Sequence, residues 1–119
     1  MNILVVDDST AMRNMIIRTL RQAGFGGHDV SQAEDGAIAL EAIRKSTPDL
    51  VLADWNMPNM TGIELLEALK EEGIKTIFGF ITTEATAEMR AKASAGGAKF
   101  LISKPFSVES FEKVLGAVM

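Results

Sequence analysis

Along this chain, short apolar runs alternate with longer stretches of helical period, so that the pattern reads strand then helix five times, with no internal repeat. Ile3 to Val6 is continuously apolar, the mark of a strand buried on both faces, and it stops at Asp7-Asp8. Asp8 or Ser9 caps a helix that places Met12, Met15, Ile16, Leu20 and Ala23 on one stripe, and Gly24 with Gly26-Gly27 stops it. A compositionally weak strand, Asp29 to Ala33, belongs at or near a sheet edge. Asp35-Gly36 then opens a helix carrying Ile38, Leu40, Ala42 and Ile43, which Thr47-Pro48 ends.

The second half repeats the scheme. Leu50 to Ala53 is another buried-strand run ending on a carboxylate, Asp54, and Trp55 to Met60 form a loop. Thr61-Gly62-Ile63-Glu64 matches a capping box, so a helix runs from about Gly62 to Gly73 with Ile63, Leu66 and Leu69 inward. The fourth strand, Thr76 to Ile81, contains Gly79, which weakens it unless another group packs closely there, and Thr82-Thr83 follow. Ala85, Met89 and Ala93 mark a fourth helix, whose small residues from Ala91 to Gly97 leave little side chain to pack and predict local mobility. Phe100 to Ile102 is the last strand. After the Lys104-Pro105-Phe106 loop, Ser107 caps a helix with Val108, Phe111, Val114, Leu115 and Val118 inward.

Composition narrows what such a chain does. At 119 residues, with 47% apolar and 24% charged residues, it is sized for one domain with one core, and an output must come from a partner. The absence of cysteine excludes disulfides and thiolate metal sites. The first residues lack the basic flank and apolar length of a signal peptide or membrane span, which points to a cytoplasmic protein. A net charge of −4 argues against nucleic-acid or anionic-membrane binding.

Strands joined by helical crossovers run parallel, and such α/β doubly wound sheets bind ligands beyond the carboxyl ends of their strands. Asp7-Asp8, Asp54, Thr82 and Ser103-Lys104 all fall at that edge. The flavodoxin-like order 2-1-3-4-5, taken from other five-stranded parallel sheets of this type, makes strands one and three neighbours, so that Asp7, Asp8 and Asp54 converge. Three carboxylates that close repel one another, and a divalent cation resolves the conflict. All-oxygen ligation points to magnesium, which accepts a phosphoryl oxygen while keeping several waters. With Lys104 as a second positive charge and Thr82 as a hydroxyl donor, the set suits a phosphoryl group on Asp54 as nucleophile. An ionised carboxylate needs no general base, which favours transfer from an activated donor over hydrolysis of a stable ester.

Asp7-Asp8 after the first strand, Asp54 followed by Trp55-Asn56-Met57-Pro58, Thr82 after the fourth strand and Lys104-Pro105-Phe106 after the fifth occur in order and at family spacing. In these the chain resembles a response-regulator receiver domain, most like the single-domain receivers of bacterial chemotaxis, over essentially all of residues 1–119. The resemblance implies that Asp54 accepts phosphate from the phosphohistidine of a sensor histidine kinase. It also implies that Asp7, Asp8, Asp54 and the Asn56 carbonyl surround magnesium, that Thr82 and Lys104 respond to the phosphoryl group, and that the Lys104-Pro105 peptide is cis. It further implies a monomeric signalling phosphoacceptor that assists its own phosphorylation and dephosphorylation but is not otherwise an enzyme. Phosphorylation then changes the face of helix four, strand five and helix five to control binding of a target such as a flagellar motor, and a phosphatase is a further partner. One family feature departs: the aromatic usual three residues before the lysine is Leu101, and Phe100 beside it points to the opposite face by strand alternation.

Plainer readings stand beside these. Trp55 reads as a partly exposed loop aromatic, Met57 and Met60 as packing against the third helix, His28 as a surface loop residue and Phe106 as core. Glu84 and Asn56 occupy positions that influence phosphate lifetime in the family, and read equally well as solvated polar residues. Four other functions compete. A haloacid-dehalogenase-type phosphatase wants Asp-x-Asp-x-Thr where this chain has adjacent acids, and a flavodoxin-like carrier wants a hydroxyl-rich phosphate loop after strand one. A pseudo-receiver would not need the intact acids, threonine and lysine. A receiver cut from a longer regulator is the remaining alternative.

Overall fold

The computed structural model describes residues 1–83 and 85–118. Its elements are β1 (Asn2–Val6), α1 (Thr10–Leu20), β2 (Asp29–Ala33), α2 (Gly36–Lys45), β3 (Leu50–Ala53), α3 (Gly62–Glu71), β4 (Ile77–Thr82), α4 (Ala87–Ala95), β5 (Phe100–Ser103) and α5 (Val108–Val118). The strands form one parallel sheet in the order β2-β1-β3-β4-β5, the doubly wound arrangement expected from the alternating pattern. The weak second strand is an edge, as its composition predicts, while β1 and β3 lie inside and are buried almost throughout.

Strand alternation divides the core into two layers. Leu4, Val6, Val51, Ala53, Phe78 and Phe80 face α2, α3 and α4. Ile3, Val5, Leu50, Leu52, Ile81 and Ile102 face α1 and α5. Leu101 packs in the first layer and Phe100 in the second, on opposite faces as alternation requires. The ring of Phe100 occupies the space a Cβ at Gly79 would need, which explains a glycine in the middle of β4.

Local signals set the helix starts. Ser9 caps α1, Asp35 caps α2, and Thr61 with Glu64 closes a full capping box on α3. Ser107 and Ser110 exchange hydrogen bonds at the start of α5. The fourth helix starts later than Ala85, with Thr86 as its cap. After Leu20 the chain continues as a π-helical turn, Arg21–Phe25, in which Gly24 at φ 96° breaks the helical backbone. Met15 at 52% exposure and Ile38 at 49% project into solvent, although the helical stripe includes Met15 and Ile38 opens the apolar run of α2. Ala42 is exposed as well, because the buried side of α2 is Gly36, Ala39, Leu40 and Ile43.

Candidate functional site

Parallel pairing carries the acids into place. The Asp7 N–H donates to the Ala33 carbonyl at 3.2 Å and the Asp54 N–H to the Val6 carbonyl at 2.9 Å, so the ladders of β2-β1 and β1-β3 extend one residue past their strands. Asp7 is 1% exposed, Asp54 is half-buried and Asp8 is exposed. One oxygen from each of the three carboxylates falls within 4.8 Å of the others.

Two of these acids are oriented in the same way. Asp7 Oδ1 accepts the Ser9 N–H at 2.9 Å, and Asp54 Oδ1 accepts the Trp55 N–H at 2.7 Å. The remaining oxygens both face Lys104, whose Nζ donates to Asp7 Oδ2 at 3.1 Å and to Asp54 Oδ2 at 3.3 Å. Lys104 is itself fixed by its backbone N–H, which donates to the Thr82 carbonyl at 2.8 Å, and the Lys104-Pro105 peptide is cis. Among the described residues one ammonium thus pairs with two of the three clustered carboxylates, leaving a surplus of negative charge. Burial, and then the Asp7 carboxylate, push the Asp54 carboxyl above the usual range against the pull of Lys104.

Thr82 is fully buried at the end of β4, in register with Ser103 on β5. Asn56 is exposed, two residues after Asp54. Glu84 lies outside the described residues. Trp55 is a correction: only 8% exposed, it packs against the Phe80 ring with centroids 4.8 Å apart, because the loop turns inward immediately after Asp54. Met57 is buried and Met60 half-buried in the layer that includes α3. Phe106 is half-buried against Phe111, and His28 is half-buried beside Phe25.

The loop after Asp54 is held by residues whose role the sequence reading missed. Gly62 donates its N–H to the Trp55 carbonyl at 2.8 Å, and a Cβ there would strike the Asp54 carbonyl. Asn59, at φ 66°, donates from its side chain to Asp35 Oδ2 at 2.8 Å, and Gly36 donates to the Met60 carbonyl at 3.2 Å. The loop is thereby fastened to the start of α2. An asparagine just after a proline in a loop, able to adopt the left-handed conformation, is the signal that could have marked this turn. A groove of about 790 Å³ opens at the opposite end of the sheet, among Leu66, Ile74, Phe78 and Lys99, and does not reach the acids.

A five-stranded parallel sheet with acids, threonine and lysine gathered at its carboxyl edge defines a class, and the sequence agrees with it. Residues 3–115 match the response regulator receiver domain, and the chain belongs to that family. It is similar to chemotaxis protein CheY-3 of Vibrio cholerae, 37% identical over 120 residues that cover 99% of this chain and 91% of that one. Chemotaxis protein CheY of Pseudomonas aeruginosa is 36% identical over 124 residues, covering 99% of this chain and 98% of the relative. Among solved structures, Vibrio cholerae CheY4 superposes with a TM-score of 0.86 at 36% identity, over 99% of this chain and 98% of that one. The phosphatase alternative is not favoured by these matches. Among the described residues no helix is long and apolar enough to cross a membrane.

Proposed function

We propose that this chain, as a single receiver domain spanning residues 1–119, is a phosphorylatable switch of a two-component or chemotaxis phosphorelay, with Asp54 as the phosphoacceptor. The observation that carries the reading is the shared ammonium: Lys104 Nζ bridges Asp7 and Asp54, so the reacting carboxylate and the group that would receive phosphoryl charge are already in register. The Asp54 Oδ2 oxygen bonds to phosphorus as the bond from phosphorus to the kinase imidazole nitrogen breaks, and the imidazole leaves with that electron pair. Lys104 follows the new negative charge, and Thr82 at the end of β4 donates to a phosphoryl oxygen.

The three carboxylates suit magnesium because they supply only oxygen donors, lie close together and exceed the local positive charge. Asp7, Asp8 and Asp54 would hold the ion together with the Asn56 carbonyl, and when bound it neutralises phosphoryl oxygens. The protein then acts not as an enzyme on other substrates but as a cytoplasmic monomer that assists its own phosphorylation and dephosphorylation. Its partners are a histidine kinase, a target such as a flagellar motor and a phosphatase, with target affinity set at the face of α4, β5 and α5.

Incubation with magnesium and acetyl phosphate, followed by intact-mass measurement, is expected to show the gain of one phosphoryl group in the wild type and none in Asp54→Asn. A gain that persists in Asp54→Asn would sink the assignment.

A further inference from the structure

Arg13 is on the wrong side of α1 for a charged residue. It shares the buried stripe with Ile16 and Leu20 and is only 7% exposed. Burying a guanidinium is costly unless its donors are matched and negative charge stands near. Its Nη1 donates to the backbone carbonyl of Asp7 at 2.7 Å, its Nε to Gln32 Oε1 at 2.9 Å and its Nη2 to Thr10 Oγ1 at 3.1 Å. All three acceptors are uncharged, and among the described residues no ion pair includes Arg13. The negative charge it serves begins at the residue whose carbonyl it holds.

That carbonyl belongs to the peptide plane joining Asp7 to Asp8. Holding one planar unit holds the Cα atoms at both its ends, and so the two points from which the carboxylates leave the end of β1. The other two anchors lie on different elements, Gln32 on the edge strand β2 and Thr10 at the first position of α1. A guanidinium presents its donors as a rigid fork and spans the three, whereas an ammonium concentrates its donors at one point.

We propose that Arg13 is a positioning residue for the Asp7-Asp8 pair and sets the affinity of the site for its divalent cation. The proposal rests on the reading of the site as magnesium-dependent. Outer groups that orient metal ligands typically change metal affinity by about 10- to 100-fold when removed.

The test uses the full chain, with magnesium affinity from calorimetry and phosphoryl gain from acetyl phosphate measured across magnesium concentrations. Arg13→Met and Arg13→Lys are both expected to weaken magnesium binding by about tenfold or more. Their rates at saturating magnesium stay within about threefold of wild type, since the carboxylates and Lys104 remain. Gln32→Leu removes one anchor, weakens binding by a smaller factor, and adds nothing further on top of Arg13→Met. Magnesium affinity within twofold of wild type in Arg13→Lys and Gln32→Leu, whatever happens to melting temperature, would overturn the proposal. Those two variants also carry the test if Arg13→Met does not fold. A wild type that binds no magnesium overturns the site reading and this proposal together. A wild type that binds it and is phosphorylated at Asp54, with wild-type affinities in the variants, overturns this proposal alone.

Discussion

Where β1 meets β3, every residue from Ile3 to Val6 and from Leu50 to Ala53 is buried, and the ladder runs on to hold Asp7 and Asp54. On the other side of β4, only Ile102 of β5 and Ala93 of α4 are buried, and α4 has almost no apolar face. The third helix, one layer-neighbour away, buries Gly62, Leu65, Leu66 and Leu69. The contrast separates two tasks. Converging carboxylates repel, so they need a frame that does not yield. On the function proposed above, the α4–β5 side answers to a charge at Asp54, and an element held by few side chains opens at little cost.

The widest gap between the regions should appear on truncating their inward side chains. Leu65→Ala in α3 is expected to cost about 2–5 kcal/mol in denaturant unfolding, and Met89→Ala in α4 under about 1 kcal/mol. Equal losses would erase the distinction. Without any substitution, α4 amides should exchange with solvent well before those of α3.

A smaller effect tests the clamp on the rigid side. Asp35→Ala removes the cap of α2 and the partner of Asn59, with an expected cost of about 1–2 kcal/mol at neutral pH. The Ile38 N–H and then the Asn59 side chain hold the Asp35 carboxyl below its ordinary range. Its contribution is therefore complete above the unfolded-state value and is lost as pH falls through the depressed native one. The deficit of the variant should shrink correspondingly in acid, and a pH-independent deficit would remove the charge from the explanation.

The smallest effect runs with the opposite sign. Because burial and Asp7 raise the Asp54 carboxyl, its ionisation disfavours the metal-free fold at neutral pH, and that penalty disappears as pH falls through the raised native value and below. Asp54→Asn in the presence of chelator should melt about 2 °C above wild type at pH 7, with the gain fading in acid. A gain that does not vary with pH would count against the repulsive frame.

The sequence pattern was most legible where burial is complete. Continuous apolar runs ending on aspartate located β1, β3 and the acids, and the Thr61–Glu64 box located the start of α3. It was least legible where a side chain's environment depends on a distant part of the chain. Nothing local indicates that Trp55 turns inward onto Phe80 or that Met15 turns outward. Arg13 lay open to notice, since a charge three residues before Ile16 and seven before Leu20 interrupts an apolar stripe. Its three acceptors, however, come together only once β2 lies beside β1. The fastening of Asn59 to Asp35 is non-local in the same way.

The aromatic ring seated in the notch of Gly79 has a consequence for how this chain can vary. Positions 79 and 100 behave as a single letter written in two places: a side chain at one requires a vacancy at the other. An engineer wishing to install a ring at Leu101 and so restore the usual family arrangement would be adding a second aromatic beside the first, on the opposite face of the same four-residue strand. The matched exchange is confined to one layer, in which Phe100 shrinks as Gly79 gains a methyl group, while a ring at Leu101 would have to be accommodated in the other. Lineages that cross between the two arrangements one substitution at a time must pass through either an unfilled notch or an overfilled one.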